Sequence, residues 1–304
     1  MSSLTKKTIV ILGPTASGKT GFGVRLAREF DGEIISADSR QVFKYMDIGS
    51  GKDLTEYGNV PYHLIDVVHP NDDFDAMKYK RFAEESIVDV RKRGKLPIVV
   101  GGTGFYLQAL VDNMVLSPAK PDLKLRAELD CLTTLKLYER LRQLNRPFAE
   151  KLNNSEKHNK RRLIRYVEIA EHAPDFLTVD ASPKKNVKSE EFLIFGIKRD
   201  KDEIEARIYK RLIERLEKED MIAEVLGLHE KHGVEWKRLE SFGLEYKYVS
   251  LYIREKIDYD EMIARLNIAI RQFAKRQMTW FRRWEKQGIK IMWIEHYKEM
   301  KEFI

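Results

Sequence analysis

Gly13-Pro14-Thr15-Ala16-Ser17-Gly18-Lys19-Thr20 fits the pattern G-x-x-x-x-G-K-[ST]. It follows the β-branched run Thr8–Leu12 directly and opens a helical stretch that reaches Phe30. No other feature restricts the fold of this chain as much. A strand that turns through glycines into a helix points successive backbone N–H groups at one place, and the helix end adds its partial positive charge. The lysine reaches a distal phosphate, and the hydroxyl of the last residue can ligate Mg²⁺. The pattern predicts a strand–loop–helix unit around a phosphorylated ligand, lined by Gly13 to Thr20. A nucleotide such as ATP is one such ligand, and the loop does not say which is meant.

The unit is the first of several. Glu33–Ser36, Tyr62–Val68 and Leu96–Val100 read as further strands, with a helix over Phe74–Arg93. This alternation makes βαβ units and a parallel sheet. After about Leu116 the character changes: 117–185 contains SPAKPD and then charged helical stretches with no convincing strand. Strand character returns at Glu191–Lys198, helices dominate Asp202–Gln287, and Lys290–Ile294 is a last strand candidate. The expected fold is α/β, a P-loop NTPase-like parallel-sheet core over 1–116 and 190–304 with a helical C-terminal region. A helical insertion domain is expected over 117–189, and a separate second domain is the other reading of that segment.

With 304 residues, 43% of them hydrophobic, the chain has enough apolar material for a sizeable core. No apolar run approaches the ~20 residues of a membrane span. MSSLTKKTIVIL lacks the long apolar region and the cleavage site of a signal peptide. A single cysteine, Cys131, excludes an internal disulfide and a zinc cluster. The chain is expected to be cytoplasmic and monomeric, with no membrane and no obligate protein partner. Its net charge is +7, and Ile263–Lys290 alone holds eight bases (Arg265, Arg271, Lys275, Arg276, Arg282, Arg283, Lys286, Lys290) against Glu285. A second basic cluster spans Lys157–Arg165. Concentrated positive charge points to a polyanionic partner.

A P-loop protein that hydrolyses ATP normally has an apolar strand ending in Asp, which holds the metal shell. Here Pro97–Val100 ends in Gly101-Gly102-Thr103-Gly104 instead. The acid at a comparable strand end is Asp38, after the second strand, followed by Ser39, Arg40 and Gln41. Asp38 suits three roles: general base, an outer partner of Mg²⁺ acting through the ligands bound to it, or helix N-cap. So many polar groups at one strand end favour a ligand. GGTG reads either as a plain glycine turn or as a place where backbone approaches substrate closely, with Thr103 as a hydrogen-bonding group.

Taken in order, GPTASGKT at 13–20, ADSRQVFKYMDIGSGK at 37–52, YHLIDV at 62–67, VGGTGFYLQAL at 100–110, RRLIRYVEI at 161–169, EARIYKRL at 205–212 and AKRQMTWFRRW at 274–284 resemble the tRNA dimethylallyltransferases (tRNA isopentenyltransferases) of bacterial type. These segments touch nearly the whole length. The resemblance implies transfer of a dimethylallyl group from dimethylallyl diphosphate to N6 of the adenosine just 3′ of a tRNA anticodon, with release of diphosphate. A diphosphate fits the loop as well as ATP, and a missing strand-end acid is tolerable where no water must be activated.

The resemblance also implies roles. Asp38 would be the base on the adenine amine, Lys19 and Thr20 would hold the diphosphate with Mg²⁺, and Arg207 would clamp it. Arg207 otherwise reads as a surface arginine on a charged helix. Asp38, Ser39, Arg40, Gln41, Thr103 and Arg126 would contact tRNA, as would Arg161, Arg162, Leu163, Ile164 and Arg165. So would Phe242, Gly243, Leu244, Glu245, Tyr246 and Lys247. Two segments depart from the family pattern: Lys157-His158-Asn159-Lys160 lacks its acid, and Glu245 stands where glycine is usual.

Ile263, Leu266, Ile270, Phe273, Trp280 (or Phe281) and Trp284 recur at helical spacing and mark a buried face. Arg271, Lys275, Arg282 and Lys286 form a stripe on another face, read either as solvated surface or, with so few acids among them, as phosphate contacts to RNA. Two other functions fit parts of the pattern: a P-loop nucleoside or small-metabolite kinase, and an RNA-binding NTPase acting as a switch. The first gives the basic helix no purpose; the second requires nucleotide-dependent RNA affinity and no product.

Overall fold

The computed structural model describes residues 7–177 and 191–304. In chain order the first elements are β1 (Thr8–Leu12), α1 (Lys19–Glu29), β2 (Gly32–Ser36), β3 (Tyr62–His63), α2 (Ala76–Lys92), β4 (Leu96–Gly101) and α3 (Gly104–Val111). Five helices follow: α4 (Leu123–Asp130), α5 (Thr134–Leu144), α6 (Arg146–Lys151), α7 (Asn154–Lys157) and α8 (Lys160–His172). The chain ends with β5 (Phe192–Ile197), α9 (Lys201–Glu217), α10 (Met221–Glu230), α11 (Trp236–Phe242), α12 (Leu244–Ile253), α13 (Tyr259–Lys286), β6 (Met292–Ile294) and α14 (Tyr297–Lys301).

Two units carry these elements, one of 1–112 with 187–304 and one of 113–186. In the first, six parallel strands form one sheet in the order β3-β2-β4-β1-β5-β6. Ile9 of β1 lies opposite Ile98 of β4 on one side and Leu193 of β5 on the other. Every residue of β1, β2 and β4 is buried, which suits the apolar runs of β1 and β4; in β2 the buried Glu33 is paired with Arg93 and His63. Because the strands are parallel, the loops after β2, β4, β1 and β5 emerge side by side at one edge, where open α/β sheets bind ligands.

The third strand is shorter than Tyr62–Val68. Its ladder ends at His63, because Leu64 and Asp66 have φ of 62° and 58°, which no strand accommodates. Val68 instead forms an isolated parallel bridge with Phe43, outside the sheet.

The second unit is all helical among the described residues. Its helices α4 to α8 each open on a side chain that accepts a backbone N–H of the first turn: Asp122, Thr133, Asn145, Asn153 and Asn159. Such caps are each worth about 1 kcal/mol, which matters in helices this short. Leu125, Leu129, Leu137, Leu141, Leu163 and Val167 form its core.

Helix α13 buries Met262, Leu266, Ile270, Ala274, Gln277, Phe281 and Trp284. The stripe therefore runs one residue off the expected face at several places, with Ile263, Phe273 and Trp280 flanking it half-buried and Phe281 taking the core position. Among the described residues, no helix is long and apolar enough to cross a membrane.

Candidate active site

The glycine loop after β1 turns through two left-handed residues, Ala16 at φ 61° and Gly18 at φ 85°, and delivers Lys19 and Thr20 as the first residues of α1. Two of its groups are committed within the protein. The Ser17 N–H donates to Pro14 O at 3.3 Å, and the Thr15 N–H donates to Gln277 Oε1 at 2.8 Å. Ser17 is buried with its hydroxyl turned under the loop, where a methyl at Gly13 would lie 2.7 Å from it. The Thr15 and Ser17 N–H groups thus brace the loop from within.

Lys19 folds over the loop, its Nζ 3.4 Å from Pro14 O. Burial pushes its ammonium down to about 8; the Asp38 carboxylate opposes that shift and the Arg211 guanidinium adds to it. The interaction with Asp38 places that carboxylate within electrostatic reach of the phosphate loop, across the sheet edge.

Asp38 caps no helix. Its Oδ1 accepts the Arg40 N–H at 2.8 Å in a local turn, and the residue is half-buried. The Ser39 N–H donates to Thr103 Oγ1 at 3.0 Å, and the Thr103 N–H donates to Ala37 O at 3.1 Å. The loops after β2 and β4 are therefore stitched together. The glycines of GGTG serve this packing. A methyl at Gly101 would lie 2.2 Å from Ala37 O, one at Gly102 2.3 Å from Gln277 Nε2, and one at Gly104 2.5 Å from the Trp280 ring. These approaches are all to protein, so the glycines let the two loops and α13 pack closely.

On the far side of β1, α9 lays three arginines along one face. Arg207 extends toward the phosphate loop, Nη1 3.7 Å from where a side chain on Gly18 would begin, and is paired with Glu203 at 2.7 Å. Arg211 pairs with Asp53 at 2.7 Å, and burial holds its guanidinium below its ordinary range. Arg215 pairs with Glu245 at 3.8 Å, which gives a partner to the glutamate that departs from the family pattern. Sequence reading found Arg207 and missed Arg211 and Arg215, although all three recur at helical spacing. It also missed Gln277, a polar residue on the apolar stripe of α13.

The segments expected to bind RNA divide. Arg40 sits in the core unit with its Nε and Nη2 on Phe242 O at 3.0 and 2.6 Å, so the Asp38 loop and the end of α11 meet. Gln41 likewise holds Ser36 and Gly51 O. The side chains of Phe242 and Tyr246 are buried in the core, and that of Glu245 is buried too. They follow the apolar phase of α11 and α12. Gly243 makes the turn at φ 77°, Leu244 is half-buried, and Lys247 is exposed.

In the helical unit, Leu163 is fully buried in the core of that unit, and Ile164 packs against that core from its edge. Arg126 grips the buried Glu168 with both Nε and Nη2 at 2.7 Å, and Arg165 pairs with the same carboxylate. Arg161 is exposed and Arg162 pairs with Glu156 at 3.6 Å. On α13, Arg271, Lys275, Arg282 and Lys286 are all exposed as expected, but Arg271 is paired with Glu205 of α9.

No group of three or more His, Cys, Asp or Glu side chains able to hold a metal occurs among the described residues. The donor set at the loop, a threonine hydroxyl beside a phosphate-binding turn, suits Mg²⁺ held largely by phosphate oxygens and water.

The fold and this edge define a P-loop α/β protein. The IPP transferase family model matches residues 41–284, and the isopentenyl transferase model matches residues 6–58. The tRNA dimethylallyltransferase 2 of Syntrophotalea carbinolica is 46% identical over 96% of this chain and 95% of that protein. Among solved structures, the tRNA isopentenylpyrophosphate transferase of Bacillus halodurans is 30% identical, with 95% of this chain and 90% of that one covered and a TM-score of 0.67. A eukaryotic dimethylallyltransferase, described acting on tRNA, is 25% identical over 96% of this chain and 75% of its own, with a TM-score of 0.77. The chain belongs to the tRNA dimethylallyltransferase family of prenyltransferases.

Proposed function

We propose that this protein transfers the dimethylallyl group of dimethylallyl diphosphate to N6 of the adenosine 3′-adjacent to a tRNA anticodon, in the cytoplasm. The observation that carries this reading is the meeting, along one sheet edge, of the phosphate loop that presents Lys19 and the strand-end carboxylate of Asp38, near enough for the carboxylate to favour the lysine's charge. The tRNA base sits in a stacked loop and must be extruded to reach that carboxylate.

In the reaction a C–N bond forms at the allylic carbon while its bond to the diphosphate oxygen breaks. Negative charge grows on the leaving diphosphate, and Lys19, the free N–H groups at the start of α1 and Arg207 oppose it. The amine loses one proton, which Asp38 accepts through the carboxylate oxygen not engaged by Arg40. Mg²⁺, held by Thr20 and diphosphate oxygens, would supply further positive charge. No water has to be activated, which agrees with a β4 that ends in glycines rather than an acid. In the core unit Lys247, Lys275, Arg282 and Lys286, and in the helical unit Arg161, are exposed cations suited to RNA phosphates.

The test is ligand choice followed by product. Dimethylallyl diphosphate is expected to raise the melting temperature at concentrations where ATP has little effect, and the protein is expected to prenylate unmodified tRNA. Protection by ATP alone, with phosphoryl transfer to a small acceptor, would return the kinase reading.

A further inference from the structure

We infer that Gln277 is a positioning residue whose buried carboxamide sets the spacing between the phosphate loop and the loop that carries Asp38. The inference rests on the transfer reaction proposed above.

Gln277 stands on α13 where its neighbours in the stripe, Ala274 and Phe281, are apolar, and it is only 5% exposed. A carboxamide is unfavourable in such a place unless its groups are paired. Here Oε1 accepts the Thr15 N–H at 2.8 Å and Nε2 donates to Gly102 O at 2.9 Å. A backbone N–H only donates and a backbone carbonyl only accepts, so the amide has one orientation. Gly102 leaves no room between the two loops: a methyl there would lie 2.3 Å from Gln277 Nε2 and 3.3 Å from Gly13 O.

From Gly102 the connection continues. Thr103 takes the Ser39 N–H on its hydroxyl and gives its own N–H to Ala37 O. Asp38 lies between those two anchored residues. A single bonded path thus runs from Thr15 through Gln277, Gly102 and Thr103 to the turn that presents the carboxylate. One end fixes the donor's diphosphate and the other fixes the proton acceptor. The reacting carbon is tethered to the first and the amine must sit beside the second, so an error of about 1 Å between them slows the chemical step about a hundredfold without weakening either site.

Gln277→Met keeps the shape and loses both bonds. Gln277→Glu keeps the acceptor for Thr15 but sets an anionic oxygen against Gly102 O until it is protonated, whereupon it donates as the amide does. The experiment measures kcat and KM for prenyl transfer to unmodified tRNA with the wild-type protein and both variants across about pH 5.5 to 8, a range chosen to reach the protonation of a buried carboxyl. Pyrophosphate affinity and thermal melting are recorded on the same samples. The expected result is a fall in kcat of about 10- to 100-fold for Gln277→Met, with pyrophosphate affinity within about threefold of wild type. Gln277→Glu is expected to recover toward wild type as pH falls. Wild-type kcat in Gln277→Met overturns the inference, as does a loss that appears wholly in pyrophosphate affinity or in melting. A wild-type protein that leaves tRNA unmodified contradicts instead the transfer reaction on which the inference rests.

Discussion

The hydroxyl of Thr103 accepts the backbone N–H of Ser39 at 3.0 Å, so the turn that follows β4 grips the turn that presents Asp38. Within that second turn, Asp38 Oδ1 takes the Arg40 N–H. An asparagine side chain can make the same bond through its carbonyl oxygen. Asp38→Asn should therefore preserve the turn and tRNA affinity while removing the proton acceptor, and lower single-turnover transfer by about 10²–10⁴. An undiminished rate in this variant removes Asp38 from the chemistry.

Lys19 gives a pH dependence with a definite sign. Its folded value of about 8 lies below the usual 10.5, because burial disfavours the charge. Between those values the unfolded chain holds a proton that the folded protein lacks, so Lys19 makes folding more favourable as pH rises through this window. Diphosphate binding runs the other way, since it needs the ammonium. Pyrophosphate affinity measured by calorimetry should weaken as pH rises through about 8. Lys19→Arg, whose guanidinium stays charged, should show a flatter profile. Parallel profiles for the two proteins contradict this assignment.

The buried Glu168 organises the helical unit. It takes two bonds from Arg126, a pair from Arg165 and the Asp122 N–H at 2.7 Å. Burial disfavours its charge, but the two arginines outweigh that effect and hold its pKa below the ordinary carboxylate value. Its stabilisation is thus present above that ordinary value and is lost as pH falls through the lower folded one. Arg126→Ala should destabilise this unit by about 2–3 kcal/mol and Glu168→Ala by about 3–5 kcal/mol. Hydrogen exchange of α4, α5 and α8 reads this directly; unchanged protection in both variants refutes it.

The basic face of α13 separates by pairing. Arg271 is neutralised by Glu205, whereas Arg282 and Lys286 have no ion pair among the described residues. Replacing Arg282 and Lys286 with alanine should weaken tRNA binding and make the slope of log affinity against log salt shallower by about 1 to 2. Arg271→Ala should change both less. Equal effects from the paired and unpaired cations would show that the stripe acts only through net charge.

The core of the fold was legible because buried parallel strands leave unbroken apolar runs. Thr8–Leu12 was read with its observed bounds, and the glycine motif located the loop after it. Tyr62–Val68 is also rich in apolar and β-branched residues, but the positive φ at Leu64 and Asp66 is invisible in side-chain character. In α13, Ile263 and Phe273 lie beside the buried Met262 and Ala274, so both sets fit helical spacing, and apolar character favours the larger flanking side chains over the alanine. Leu163, Phe242 and Tyr246 came from motif segments taken whole, and a segment does not tell which of its side chains point inward. Gln277 was missed for a related reason: its partners are backbone groups of loops more than a hundred residues away.

The most direct test of the account is mass analysis of tRNA nucleosides after incubating the protein with Mg²⁺, dimethylallyl diphosphate and unmodified tRNA carrying adenosine 3′ of the anticodon. The account predicts N6-dimethylallyl adenosine at that position, formed in step with pyrophosphate and greatly diminished in Asp38→Asn. Folded wild-type protein that binds both reactants and returns the tRNA unaltered would contradict it.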